Sequence, residues 1–111
     1  MKFTVTKNGK ATILTLESRK LDATVTPELK AEFLLLCKPK VTHKLIVDMS
    51  KVEFCDSSGL SALLIADRAM REHGGTVHLV SVHKRVQELM KISQLDRVFT
   101  INSKLADALT A

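Results

Sequence analysis

The sequence has no tryptophan, no tyrosine and only four phenylalanines among its 111 residues. Any core it builds is therefore aliphatic. The shortage also argues against nucleic acid as a direct partner, because single strands are held largely on aromatic faces. Cysteine is scarce as well. Cys37 and Cys55 stand far apart and match no metal-binding or redox spacing. A structural disulfide is not expected in a reducing compartment. The histidines His43, His73, His78 and His83 lack ligand spacing and read as surface or loop-end residues. No metal and no cofactor is expected. No apolar run approaches the roughly 18 residues of a membrane span. Met1-Lys2-Phe3-Thr4-Val5-Thr6 alternates like a strand and lacks the apolar core of a signal peptide. The expected location is the cytoplasm.

Hydrophobic residues make up 45% of the chain and charged residues 26%, which suits one folded domain spanning 1–111. The formal net charge is +5, but the basic residues are dispersed. The longest basic clusters are pairs such as Arg19-Lys20 and Lys84-Arg85. That pattern reads as a solvated basic surface, which could equally steer an acidic protein partner.

Residues 3–6 and 11–17 read as strands joined by Asn8-Gly9, a two-residue hairpin signal. A polar connection over 18–26 leads to Thr26-Pro27-Glu28, expected to open a helix with Thr26 as N-cap. Its apolar face is Leu29, Phe33 and Leu36. Residues 44–49 read as a buried strand, and 58–73 as a helix stopped by Gly74-Gly75. Leu60, Leu63, Leu64 and Met70 form that helix's core stripe, with Asp67, Arg68, Arg71 and Glu72 toward water. A strand over 76–80 follows, then a helix over 82–92 capped by Ser81, with Val82, Val86, Leu89 and Met90 inward. A loop over 93–97, a strand over 98–101 and a helix over 103–110, packed through Leu105 and Leu109, complete the chain. The alternation implies a single α/β domain. Its sheet is mixed but mostly parallel, with an N-terminal β-hairpin and about four helices.

The chain is organised around Asp56-Ser57-Ser58-Gly59, between the apolar strand and the second helix. Either Asp56 or Ser57 can cap that helix, which places serine hydroxyls at the positive end of its dipole. Ligands and partners of open α/β sheets commonly meet the protein at such turns. Taken alone, the four residues are also a good helix start and nothing more. A nucleophile elbow is excluded, because Cys55 stands where that motif needs glycine. No base–nucleophile pair or phosphate-binding glycine loop is visible, so an enzyme is not expected.

The order of motifs nevertheless resembles STAS domains, specifically single-domain bacterial anti-sigma factor antagonists. The resemblance spans nearly the whole chain. It rests on the N-terminal hairpin, Leu21-Asp22-Ala23 leading into Pro27-Glu28-Leu29, Val47-Asp48-Met49-Ser50 followed by Val52-Glu53-Phe54, and Cys55-Asp56-Ser57-Ser58-Gly59-Leu60. Gly74-Gly75 fits as well. The resemblance implies that Ser57 is phosphorylated by an anti-sigma factor that is a histidine-kinase-like serine kinase, and that a PP2C-type phosphatase removes the phosphate. The unphosphorylated form would bind the anti-sigma factor and release a sigma factor. Asp22, Asp56, Ser57, Ser58 and Gly59 are the expected partner-binding residues, with Lys51 and Glu53 bordering the face. Asp22 could equally be a loop cap. Arg19-Lys20 stands where the family usually has Gly-Glu. The alternative is a STAS subunit of a membrane lipid-transport complex, docked on its ATPase without phosphorylation, and a small basic nucleic-acid-binding domain ranks last. A monomer is the default expectation.

Overall fold

The computed structural model describes residues 2–110. The chain opens with β1 (Phe3–Asn8) and β2 (Ala11–Leu16), paired antiparallel from Phe3↔Leu16 to Asn8↔Ala11. Gly9 takes φ +64 in the turn, as the Asn-Gly signal requires. Parallel strands then extend the sheet: β4 (Lys44–Asp48) on β2, β6 (Thr76–Val80) on β4, and β7 (Thr100–Asn102) on β6. The strand order is β1-β2-β4-β6-β7.

Alternation along the strands divides the sheet into two faces. Leu14, Leu16, Leu45, Val47, Val77 and Leu79 point to one of them. Three helices cover that face: α1 (Thr26–Leu36), α2 (Ser57–Arg71) and α3 (Lys84–Ile92). Phe33, Leu63, Met70 and Met90 are fully enclosed there. Each such side chain contributes about 1.5–3 kcal/mol through its transfer from water. Ala11, Ile13, Ile46 and Val80 point the other way, under the short helix α4 (Leu105–Thr110) through Ala108, Leu105 and Leu109.

A second sheet was not expected. It consists of β3 (Lys20–Leu21) and β5 (Phe54–Cys55), paired in parallel as Lys20↔Phe54 and Leu21↔Cys55. The Arg19 carbonyl accepts from Glu53 N–H at 2.8 Å and Phe54 N–H at 3.1 Å, and the Leu21 carbonyl from Asp56 N–H at 3.3 Å. These bonds bring the chain before α1 alongside the chain before α2.

Several local expectations are corrected. The N-cap of α1 is Val25, without a side-chain bond, and Thr26 lies buried inside the helix. The chain is already turning there, because the Asp22 carbonyl accepts from both Val25 and Thr26 N–H at 3.0 Å. Ser81 does not cap α3. Its φ of 56 is left-handed, Val82 is buried outside the helix, and His83 is the N-cap without a side-chain bond. The segment read as a loop contains a 3-10 turn, Leu95–Arg97, which delays the next strand to Thr100. Asp67 is buried rather than exposed, with Arg71 Nε 2.8 Å from its Oδ2. His78 is also buried rather than at the surface, its Nδ1 3.0 Å from Asn102 Oδ1.

Candidate functional site

The parallel pair β3–β5 ends with Asp22 following Leu21 and Asp56 following Cys55. Two aspartates thus leave neighbouring strands side by side. Asp56 is the N-cap of α2, with extended backbone at φ −105 and ψ −173. Its Oδ1 accepts from Ser58 N–H at 2.9 Å, Gly59 N–H at 3.1 Å and Ser58 Oγ–H at 2.6 Å. The Ser58 hydroxyl contributes most to holding the Asp56 carboxyl below its ordinary range, followed by the Gly59 amide. Between the alternatives left by the sequence, the cap is Asp56.

The two serines are therefore unlike. Ser58 is half-buried and spends its hydroxyl on Asp56, not on the backbone as such side chains often do. Ser57 is exposed, and its hydroxyl has no hydrogen-bond partner among the described residues. It sits on the first residue of α2, at the positive end of the dipole.

Gly59 is buried in the first turn. A Cβ there would stand 2.5 Å from the Leu21 carbonyl oxygen and 2.8 Å from both Leu21 Cγ and Cys55 Sγ. Glycine is thus what lets α2 begin directly against the small sheet. Its place in the site is structural, beneath the exposed turn.

Asp22 forms its own turn, accepting from Thr24 N–H at 3.0 Å and Thr24 Oγ1–H at 2.6 Å. The Thr24 hydroxyl and amide hold its carboxyl below the ordinary range, while the Asp56 charge opposes them and Lys20 assists. The Asp56 charge thus reaches the Asp22 carboxyl. Asp22 is a loop cap by geometry, and it borders the same turn. Thr24 was not singled out from the sequence, although Asp-x-Thr is a turn signature.

Around this centre the rim is charged. Arg19 pairs with Glu53, and Lys51 with Glu17. Glu53 thus borders the site through Arg19, whereas Lys51 is turned toward β2's end. Cys55 lies beneath the turn, and burial, aided by the Asp56 charge, pushes its thiol up to about 12. Cys37 is pushed up to about 11 by burial alone. Neither is a thiolate nucleophile near neutrality. Among the described residues no cluster of three or more histidine, cysteine, aspartate or glutamate side chains could hold a metal ion. No helix among them is long and apolar enough to cross a membrane.

Comparison with known proteins gives a consistent result. The family model of the STAS domain matches residues 2–108. An anti-sigma-B factor antagonist of Staphylococcus epidermidis is 27% identical over 82 residues, covering 74% of this chain and 75% of that protein. Matches to curated relatives span 59–75% of those proteins' lengths. An anti-sigma-factor antagonist domain protein from Planctomyces limnophilus superposes with a TM-score of 0.88 at 23% identity, covering 97% of this chain and 94% of that one. The Bacillus cell fate determinant SpoIIAA in its phosphorylated form gives 0.76 at 16% identity, covering 97% and 96%. The structural likenesses establish the shared fold, with its N-terminal hairpin, mostly parallel sheet and four helices.

Proposed function

Given that the chain belongs to the STAS domain family, we propose that it is an anti-sigma factor antagonist switched by phosphate on Ser57. It is a regulatory binding protein and not an enzyme. Unphosphorylated, it binds an anti-sigma factor that is a histidine-kinase-like serine kinase, and a sigma factor is released. The kinase transfers the γ-phosphoryl group of ATP to Ser57 Oγ; ADP leaves and the hydroxyl proton is lost. A PP2C-type phosphatase returns the serine. This chemistry belongs to the cytoplasm and needs no nucleic acid contact by this chain.

The observation that carries the reading is the inequality of the two hydroxyls: Ser57 exposed and unengaged, Ser58 held by Asp56. A phosphate brings about −1.5 to −2 charges and three acceptor oxygens. Asp56 already occupies the Ser58 and Gly59 amides, so the phosphate adds charge without dismantling the cap. It lands beside Asp56 and Asp22 and makes a local cluster of negative charge. A partner that buries the turn must then desolvate that cluster, which opposes binding strongly. Asp22, Asp56, Ser57 and Ser58 form the exposed and half-exposed contact surface, and Gly59 holds it in shape.

The test uses the purified chain, a histidine-kinase-like ATPase that binds it, and ATP. Phosphate is located by mass spectrometry. The wild type and Ser58→Ala take phosphate on Ser57, the latter more slowly. Ser57→Ala takes none and binds constitutively. Stoichiometric phosphate on Ser57→Ala overturns the assignment. An active, tightly bound ATPase that leaves the wild type unmodified supports instead a subunit of a lipid-transport complex.

A further inference from the structure

The surface beside the Ser57 turn carries a charge pattern that the switch does not use. A groove of about 760 Å³ is lined by Ser18, Arg19, Lys20, Thr24, Glu53, Phe54 and Arg85. Three cations face it against one carboxylate, and that carboxylate is already paired with Arg19. The field converges there: Glu53 is held below its ordinary range first by Arg19, with His83 and Arg85 adding to the effect. Lys20 and Arg85 make no side-chain hydrogen bond or ion pair among the described residues. The groove is therefore net positive, with two cations available to a ligand.

Phe54 is the shared wall between this groove and a second one. The second has a volume of about 280 Å³ and runs along α3 past Val86, Glu88, Leu89 and Ile92, with Glu53 and Arg85 also lining it. Phe54 is 47% exposed and Ile92 81% exposed. A slot that is apolar along Phe54, Val86, Leu89 and Ile92, with Glu88 at its edge, thus adjoins the basic rim of Lys20 and Arg85, one residue before the Cys55-Asp56 step into the Ser57 turn.

We propose that these two grooves together receive an acidic segment of the partner, with an aspartate or glutamate set against Lys20 and Arg85 and a neighbouring aliphatic or aromatic side chain in the Phe54–Leu89–Ile92 slot. The inference rests on the partner-binding role assigned to the adjacent turn. It adds the partner's chemistry, and it makes Lys20 and Arg85 determinants of specificity. Complementary charge of this kind steers association and excludes partners whose matching surface is basic.

The experiment does not depend on having the partner in hand. A random-peptide phage library is panned on the wild-type protein, and selected peptides are titrated by fluorescence anisotropy against wild type, Lys20→Glu/Arg85→Glu and Phe54→Ala. Peptides pairing acidic residues with a large apolar residue are expected. Their affinity should fall about tenfold in the charge-reversed variant and weaken as salt rises. Phe54→Ala should weaken them without changing the salt dependence. Amide shifts in nitrogen-15 spectra should map to Lys20, Phe54, Arg85 and Leu89. Circular dichroism melts confirm that each variant is folded. Failure to enrich peptides, enrichment of basic ones, or equal binding to the charge-reversed variant overturns the inference. Phosphate transfer to Ser57 is read separately, so the switch and the groove can fail independently.

Discussion

Two serine-bearing turns lead from a strand into a helix, and they are built differently. Before α2, Asp56 caps the helix, Gly59 lets it pack on Leu21, and Ser57 is left at the first helical position with a free hydroxyl. Before α3, Ser81 sits at left-handed φ, His83 occupies the cap position with no side-chain bond, and no glycine intervenes. The His83 ring instead reaches the Ser50 carbonyl at 2.7 Å and ties two loops together. Only the first turn combines a satisfied helix start with an exposed, unengaged hydroxyl. The phosphorylation proposed for Ser57 would draw on neighbours that relieve this hydroxyl of structural duty.

The largest effect should come from the glycine that fits the first turn together. Gly59→Ala places a Cβ 2.5 Å from a backbone carbonyl, which side-chain motion does not relieve. The helix start or the small sheet must shift, at a cost of about 2–4 kcal/mol. Gly74→Ala is the control. Gly74 has φ +78 but open space around it, so only backbone strain of about 1 kcal/mol is expected. Urea denaturation of the pair measures the difference. Equal costs would mean that Gly59 serves helix conformation and not close approach.

Next in size is the cap. Asp56→Ala removes the acceptor for two amides and a hydroxyl, and Tm should fall by several degrees. His83→Ala removes no cap bond, and its smaller effect reports only the tie to Ser50. The cap should also be pH-dependent. The folded-state value of Asp56 lies below its ordinary 3.8, so its contribution is complete above that value. It is lost as pH falls through the depressed folded value. The gap between wild type and Asp56→Ala should therefore be constant near neutrality and close in acid. Thermal melts taken as pH is lowered check this, and a gap unchanged in strong acid would refute it.

These contrasts also mark what could be read in the chain. Asn8-Gly9, the apolar run into β4 and the Gly74-Gly75 stop have strong local chemistry, and each led to the right element. The helix start at Asp56-Ser57 was legible because short polar side chains before a helical run favour a cap, but which of the two caps was settled only by the structure. The small sheet was not, because two-residue strands carry no periodicity and their pairing is a tertiary fact. Ser81 misled because composition shows a capping side chain but not its φ. Asp67 and His78 looked exposed by residue type, yet each is buried with a partner from elsewhere on its own helix or on a neighbouring strand. The basic groove was half visible as Arg19-Lys20. Arg85 and Phe54 joined it only through folding.

A smaller effect tests whether the first turn tolerates charge. Ser57→Asp puts a carboxylate in the first turn of α2, where the dipole favours it and Asp56 opposes it. Stability should change by roughly 1 kcal/mol or less. Partner binding should fall without vanishing, since a carboxylate has less charge and fewer oxygens than a phosphate. Loss of cooperative unfolding in Ser57→Asp would show that this hydroxyl carries structure after all.

The smallest effect separates the turns by sign. Glycine at position 57 replaces a residue in a helical first turn, where its added backbone freedom costs about 0.5–1 kcal/mol. Glycine at position 81 pays a similar unfolded-state cost but removes a Cβ from left-handed backbone, a relief of about 1 kcal/mol. Ser57→Gly should thus lower the urea midpoint, and Ser81→Gly should leave it nearly unmoved or raise it. On the proposed switch, Ser81→Gly should still take phosphate on Ser57, because the substitution leaves the Asp56 cap and the Ser57 hydroxyl as they are. A matched loss of stability in both variants would mean that Ser81 does not hold its left-handed conformation in solution. The two turns would then differ by their caps alone.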